Sequence, residues 1–95
     1  MTPPAPRATP AGELGAAWID TEASDPVVEV ARRFALGLRE AVAEQGLRAV
    51  AAKAGMSHSV VSAVIAGSRW PDLRTVARLE ISLDRDLWPG RPTAP

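Results

Sequence analysis

A run of uncharged residues near the middle of the chain carries side chains that could hydrogen-bond the edges of nucleic-acid bases. The candidates are four polar side chains and one small neighbour: Ser57, His58, Ser59, Ser62 and Ala63. On a helix they fall on the face opposite Val61, Val64 and Ile65, and Ser57 is a natural N-cap. No charge occurs from residue 57 to residue 66, which suits a helix that enters a major groove. The alternative is a surface helix, rich in alanine and serine, that is simply neutral.

The residues around Gly55 have the spacing of two short helices that cross at a steep angle. Small or apolar residues occupy the six positions that would seal these helices together: Val50, Ala51, Ala54, Met56, Val61 and Val64. Ala51 must be small because the second helix passes close to it, and Gly55 can adopt the positive φ that the turn requires. The pattern predicts a helix-turn-helix over residues 47–67.

Positive charge is concentrated around this motif although the chain carries no net charge. Residues 1–46 hold four basic and seven acidic side chains, whereas residues 47–95 hold seven basic and four acidic ones. We expect the basic side chains nearest the motif, together with one indole N–H, to contact DNA phosphates. These residues are Arg48, Lys53, Arg69, Arg74 and Trp70. Trp70 could equally be a hydrophobic plug.

A long amphipathic helix is predicted before the motif. Ser24 or Asp25 caps it, Pro26 lies in its first turn, and Gly46 ends it. The residues predicted to face inward recur at steps of three and four: Val27, Val30, Ala31, Phe34, Leu38, Ala41 and Val42.

Three shorter helices complete the predicted fold. Two of them, over residues 47–54 and 57–66, form the motif, and the last begins after Asp72. The residues of the last helix that we expect to face inward are Leu73, Val76, Ala77 and Leu79, with Leu83 near the end of the helix. Only the stretch at residues 16–20 is compatible with a short extended piece. We therefore predict an all-α fold, a small bundle of four to five helices that contains the helix-turn-helix.

Composition indicates one small domain behind an unstructured leader. Four of the nine prolines lie in the first dozen residues, which hold almost no large apolar side chain, so we expect residues 1–15 to be disordered. The domain is expected over residues 16–90 and a flexible tail over residues 91–95. The chain has no cysteine, which excludes disulfides and thiolate metal sites. With no signal peptide and no apolar run of membrane length, a cytoplasmic location is the default expectation.

These features together resemble the phage repressor and Cro-like (Xre-type) helix-turn-helix family over about residues 26–89. The resemblance is carried by AxxAGMSHSVVSxVxxG, followed by a loop, a proline and the LxxVARLExxL helix. It implies base contacts from Ser57, His58, Ser59 and Ser62, with Ala63 beside them. The Ser/Thr–Gln pair that usually opens the second helix is missing, which leaves Arg48 as the candidate for its phosphate contact. Long polar side chains are also missing from the recognition helix, which indicates some reliance on DNA shape.

No catalytic site, metal site or cofactor is indicated. His58 is the only histidine, and no carboxylate lies at helical spacing from it, so a metal ion or a catalytic triad is not expected there. Its ring could bond a purine N7 or stand in solvent. The sequence shows no phosphate loop, no nucleophile elbow and no paired catalytic carboxylates.

Two classes of function remain open at this point. The first is a sequence-specific regulator of transcription, a repressor that binds an inverted repeat in double-stranded DNA as a homodimer. The second is a protein-interaction module of the same fold, an antitoxin or adaptor that uses the acidic first helix. Trp18 and Trp88 lie outside the motif, and they either anchor the chain ends on the core or form the dimer interface.

Overall fold

Five helices make up the part of the chain that the computed structural model describes, residues 8–92. A 3-10 helix, Gly15–Asp20, precedes four α-helices: α1 (Pro26–Gln45), α2 (Leu47–Ala54), α3 (His58–Ala66) and α4 (Leu73–Leu83). The described residues contain no strand, so the predicted all-α class is confirmed. The stretch at residues 16–20 is helical rather than extended.

Local capping signals set the ends of the longer helices. Asp25 Oδ1 accepts the backbone N–H of Val27 at 2.9 Å, which makes Asp25 the cap of α1 among the two candidates. Asp72 Oδ1 likewise accepts the backbone N–H of Thr75 at 2.7 Å and caps α4. At the other end of α1, the chain turns at Gly46, whose φ is 91°, as expected for a glycine stop signal.

All four α-helices contribute to one hydrophobic core. Its buried members are Phe34, Leu38, Ala41, Val50, Ala51, Ala54, Val61, Val64, Val76, Leu79, Leu83 and Leu87. Phe34, Leu38 and Leu79 have no exposed surface, and burying a side chain of this size contributes about 1.5–3 kcal/mol. Because α2 and α3 supply five of these residues, the core fixes their mutual orientation.

Three residues predicted to face inward lie on the surface. Val27 is 59% exposed, Leu73 is 84% exposed, and Ala77 is also exposed. In the first turn of α1, the neighbouring Val28 takes the buried position. The buried stripe of α4 runs through Thr75, Val76, Leu79 and Leu83. Val27 lies on the same face as the buried Ala31, so the rotation of α1 is as predicted and only its first turn differs. In α4 the buried stripe is rotated towards Thr75 and Leu83, away from Leu73 and Ala77.

The N-terminal segment, residues 8–20, packs against the bundle and so departs from the predicted disordered leader. Residues 1–7 lie outside the described residues. From residue 8 onward the chain is ordered by contacts: Ala11 is buried, and its N–H donates to the carbonyl oxygen of Gly67 at 2.9 Å. A second apolar cluster is formed by Ala11, Trp18, Ile19, Ala31 and Ala35. Small side chains let the backbones approach closely, so packing begins before residue 16 without large apolar residues.

The segment after α4 is irregular and is tied back to that helix by Glu80. Its Oε2 accepts the backbone N–H of Leu87 at 2.7 Å and that of Trp88 at 2.9 Å. The hydrogen bonds from Trp88 and Leu87 hold the pKa of the Glu80 carboxyl below its usual value. Leu87 is buried in the core, whereas Trp88 is 46% exposed. Of the tail predicted over residues 91–95, only residues 91 and 92 are among the described residues.

No single helix in the described range is long and apolar enough to cross a membrane. Only α2 and α3 taken together reach that length and composition, and the pair is bent by 114° at the turn between them.

Candidate nucleic-acid interface

The turn between α2 and α3 has the geometry that the spacing around Gly55 predicts. The bend of 114° between these helices lies within the range of about 90–120° that is typical of a helix-turn-helix. Gly55 has a φ of 66°, which a residue without Cβ adopts at no steric cost. The N–H of Met56 donates to the Ala51 carbonyl at 3.0 Å, and Ser57 then caps α3 by accepting the N–H of Ser59 at 3.1 Å.

The six positions predicted to seal the two helices lie against the core. Five of them are buried: Val50, Ala51, Ala54, Val61 and Val64. Met56 is partly buried and packs against the same core. The side chain of Ala51 is 2% exposed, which leaves no room for a larger residue without displacing a neighbour.

The opposite face of α3 presents short polar side chains to the exterior. His58, Ser59 and Ser62 are exposed, and Ala63 beside them is partly buried. His58 and Ser62 are one helical turn apart and therefore lie on the same face. Neither side chain forms a hydrogen bond within residues 8–92, so both could bond an external partner.

Ser57 and Ser59 are already engaged with each other. Their Oγ atoms lie 2.7 Å apart, and Ser57 Oγ also accepts the Ser59 N–H as the helix cap. The hydroxyl of Ser57 therefore has less capacity for a base than the sequence pattern suggested. Its first role is to begin α3.

The basic side chains next to the motif form no ion pairs with described residues. The described residues form four ion pairs, and the cations in them are Arg32, Arg33, Arg39 and Arg85. The predicted phosphate ligands Arg48, Lys53, Arg69 and Arg74 are all exposed and none pairs with a described carboxylate. Lys53 Nζ donates to Gln45 Oε1 at 2.5 Å, but this partner is neutral and leaves the charge of Lys53 uncompensated.

Asp72 is the one acidic residue between Arg48 and Arg78, and it is occupied as the cap of α4. Hydrogen bonds from the backbone and the side chain of Thr75 are the main reason that the pKa of Asp72 is lowered. The positive charges of Arg69 and Arg74 lower this pKa further. Asp72 thus stays anionic, but it makes no ion pair within the described chain that would neutralise either arginine.

Trp70 is placed as a plug rather than as a phosphate ligand. Its ring is partly buried and packs against the cluster that contains Trp18. Its Nε1–H donates to the carbonyl oxygen of Ala8 at 3.2 Å. A phosphate could receive this hydrogen bond only if the contact with Ala8 opened, so the plug interpretation fits the geometry better.

The C-terminal end of α3 is held by residues that the sequence did not single out for this role. Trp18 Nε1–H donates to the carbonyl oxygen of Ile65 at 3.0 Å, across 47 positions of the chain. Gly67 is the first residue after α3 and has a φ of 73°. It packs closely against the indole ring of Trp18. The sequence indicated an anchoring role for Trp18 as one of two alternatives, but no local signal named its partner.

Comparison with known proteins agrees with this geometry. A family model described as helix-turn-helix matches residues 38–87, which is just over half of the chain. No curated protein and no solved structure matches the chain.

Proposed function

Because the chain belongs to the Xre-like helix-turn-helix family, whose domains bind DNA and regulate transcription, we propose that it is a sequence-specific repressor. The observation that carries this proposal is the outer face of α3. This face is exposed and uncharged, and exposed arginines without ion pairs lie near it in the chain on both sides. Such an arrangement fits a helix inserted in a major groove between two phosphate backbones.

Affinity and specificity would come from different residues. Arg48, Lys53, Arg69 and Arg74 are suited to neutralise phosphates, which contributes to binding of any sequence. His58, Ser59 and Ser62 carry donors and acceptors for base edges, and the methyl group of Ala63 suits a thymine methyl. We assign Ser57 a helix cap first and a base contact second, because its hydroxyl already serves α3.

We further propose that two copies bind an inverted repeat. A single recognition helix of nine residues with short side chains reads too few base pairs for specificity in a genome. Trp18 is only 2% exposed, so it serves the core of its own chain. Trp88 and Val27 are 46% and 59% exposed and line an apolar depression of about 180 Å³, which is the better candidate for contact with a second copy. The proposed role as a repressor is in keeping with the cytoplasmic location that we expect from the composition.

Selection of binding sites from random duplexes tests the function directly. We expect an enriched site with two-fold symmetry, and binding to that site that weakens as salt rises. A scrambled duplex of the same base composition serves as the control and should bind less tightly at every salt concentration. Absence of both enrichment and salt-dependent binding would refute the proposal.

The alternative of a protein-interaction module loses support from the ion pairs. Its candidate contact face was the acidic first helix, but two of the three carboxylates of α1 are paired within the chain. Glu29 pairs with Arg32 and Arg33, and Glu44 pairs with Arg85 at 2.7 Å. Only Glu40 is exposed on α1 without an ion pair to a described residue.

A further inference from the structure

We propose that Trp18 is a positioning residue for base readout, because it holds the C-terminal end of the recognition helix from outside the matched region. The inference rests on the proposed DNA-binding function. Trp18 belongs to the 3-10 helix at Gly15–Asp20, whereas the family match begins at residue 38. The support for α3 therefore comes from a part of the chain outside the segment that matches the family.

The first part of this support is a hydrogen bond that α3 cannot make internally. The last four carbonyl groups of an α-helix have no partner within the helix. At the end of α3, the carbonyls of Ala63 and Val64 accept N–H groups from Gly67 and Ser68. The carbonyl of Ile65 is bonded instead by the indole N–H of Trp18 at 3.0 Å.

The second part is close packing against Gly67. A Cβ added to Gly67 would lie 2.5 Å from Trp18 Cε2 and 2.7 Å from the Cβ of Ala11. Such distances are far inside van der Waals contact, so the indole and the N-terminal segment occupy the space that a side chain would need. Ala11 N–H also donates to the Gly67 carbonyl at 2.9 Å. The end of α3 is thus held by two hydrogen bonds and a tight apolar contact.

The third part is the anchoring of the same segment to α1. Arg32 Nη1 donates to the carbonyl of Ile19, the residue after Trp18, at 3.0 Å. Glu29 Oε1 binds Arg32 Nε at 2.7 Å and also accepts the backbone N–H of Ala23 at 3.0 Å. The segment that carries Trp18 is therefore fixed to the longest helix of the bundle, and Trp18 connects α1 to α3.

This connection matters because base readout tolerates little displacement. Ser59 and Ile65 are six residues apart, which is about 9 Å along a helix axis. Binding groups need to be held within about 0.5 Å and 10–20° of their productive positions. Loosening α3 at Ile65 would tilt a helix this short and misplace His58 and Ser62 together. Phosphate contacts by flexible arginines would be much less affected.

The test is the ratio of affinities for the selected duplex and a random duplex. This ratio does not depend on the fraction of folded protein, because unfolding lowers both affinities equally. Trp18→Phe keeps an aromatic ring but removes the N–H, and we expect the ratio to fall by about tenfold, the discrimination that one base contact supplies. Val28→Ala is the control: Val28 is 2% exposed and lies outside both apolar clusters. We expect Val28→Ala to lower the melting temperature about as much as Trp18→Phe does and to leave the ratio of affinities unchanged.

A measurement on the wild-type protein keeps the proposal falsifiable if Trp18→Phe fails to fold. By linkage, a ligand that needs α3 in position must stabilise the contact that positions it. The indole hydrogen of Trp18 should therefore exchange more slowly by NMR with the selected duplex than with a random duplex at equal saturation. An unchanged ratio in Trp18→Phe, or equal exchange with both duplexes, would overturn the positioning role. Failure to bind DNA at all would instead overturn the proposed function.

Discussion

His58, Ser59 and Ser62 give α3 an outer surface on which every polar group is close to the backbone. Short side chains lose little rotational freedom when they bind, but they reach a base only if the helix itself enters the groove deeply. Base contacts of this kind depend on helix placement more than contacts from long arginines or glutamines would. Substitutions of these polar residues and of the residues that position α3 should therefore have the same effect, which is a weaker preference for one DNA sequence.

Replacement of the two unengaged polar groups tests the base contacts. The double variant His58→Ala, Ser62→Ala should lose about 1–3 kcal/mol per base contact on the selected duplex and far less on random DNA. Gel-shift titration of both duplexes measures the difference, and circular dichroism checks that the variant stays folded. A folded variant that keeps its full preference would refute the assignment of α3 as the recognition helix.

Arg69→Ala tests the phosphate contacts. Loss of one phosphate contact should weaken binding to selected and random duplexes alike and reduce the salt slope by about 0.9. Arg39→Ala is a matched control, because Arg39 is exposed but pairs with Asp20 at 3.3 Å and belongs to α1 rather than to the motif. It should leave the slope unchanged. A change in sequence preference alone for Arg69→Ala would contradict the phosphate role.

Glu29 predicts a specific loss of stability in acid. Its pKa is lowered from 4.5 to about 2, mainly by the hydrogen bond from Arg32, with further contributions from Ala23 and Arg33. A lowered pKa stabilises the fold above pH 4.5, and this contribution disappears as the pH falls through about 2. A shift of this size corresponds at most to about 3 kcal/mol, and screening by solvent reduces it to on the order of 2 kcal/mol.

The variant Glu29→Gln isolates this contribution. Urea unfolding should find it less stable than the wild type at pH 7, with a difference that shrinks steadily below pH 4.5. Glu40→Gln should show no such difference, because Glu40 forms no ion pair among the described residues. If the difference in stability between Glu29→Gln and the wild type stayed constant with pH, the contribution of Glu29 would not be ionic.

At the scale of helices, the sequence predicted the helix ends and the turn, because these features depend on residues that are neighbours in the chain. Asp25, Gly46 and Asp72 act as cap or stop signals where they were expected, and Gly55 and Ser57 form the turn before α3. The rotation of α4 was predicted less well. The buried stripe of α4 shares Val76 and Leu79 with the predicted one and also includes Thr75 and Leu83, whereas Leu73 is 84% exposed. Periodicity alone cannot distinguish two stripes that overlap.

The two positive-φ glycines that end α2 and α3 should respond differently to alanine. Gly55 and Gly67 have φ of 66° and 73°, so a Cβ at either position costs about 1–2 kcal/mol of backbone strain. Nothing lies within 4 Å of a Cβ at Gly55, whereas one at Gly67 would collide with Trp18, which adds about 1–3 kcal/mol. Urea unfolding should therefore find Gly67→Ala the less stable variant.

A double-mutant comparison checks the origin of that difference. In a Trp18→Ala background, the extra cost of Gly67→Ala over Gly55→Ala should become smaller, since the colliding ring is gone and only the close approach to the Cβ of Ala11, at 2.7 Å, remains. Persistence of the full difference would mean that the strain has another source.

At the scale of the whole molecule, the parts that escaped prediction involve residues far apart in sequence. The Trp18–Ile65 hydrogen bond and the packing of Ala11 on Gly67 join the start of the chain to the end of α3. Composition could only classify residues 1–15 as poor in large apolar groups. It could not show that the glycine that ends α3 offers a surface for small side chains. The candidate site was easier to predict, because α2, the turn and α3 are contiguous.

Self-association should depend on Trp88 and not on Trp18. Trp88→Ala removes an exposed ring, so we expect a weaker dimer in analytical ultracentrifugation at micromolar protein and little change in melting temperature. Trp18→Ala removes a buried ring and should mainly lower the melting temperature, by a loss of about 3–5 kcal/mol in stability. A protein that stays monomeric with and without DNA, and that binds a site without symmetry, would exclude the dimer.

The graded exposure of the three tryptophans also gives the molecule built-in optical reporters. The chain has no tyrosine, so its intrinsic fluorescence comes from three indoles in distinct settings. Trp18 is 2% exposed and Trp88 is 46% exposed, while Trp70 lies partly buried in the loop between α3 and α4. A soluble quencher should reach Trp88 first and Trp18 last. Unfolding should shift the Trp18 emission to longer wavelength, and self-association should shield Trp88 and Trp70, which line the same depression, so unlabelled protein can distinguish these two events.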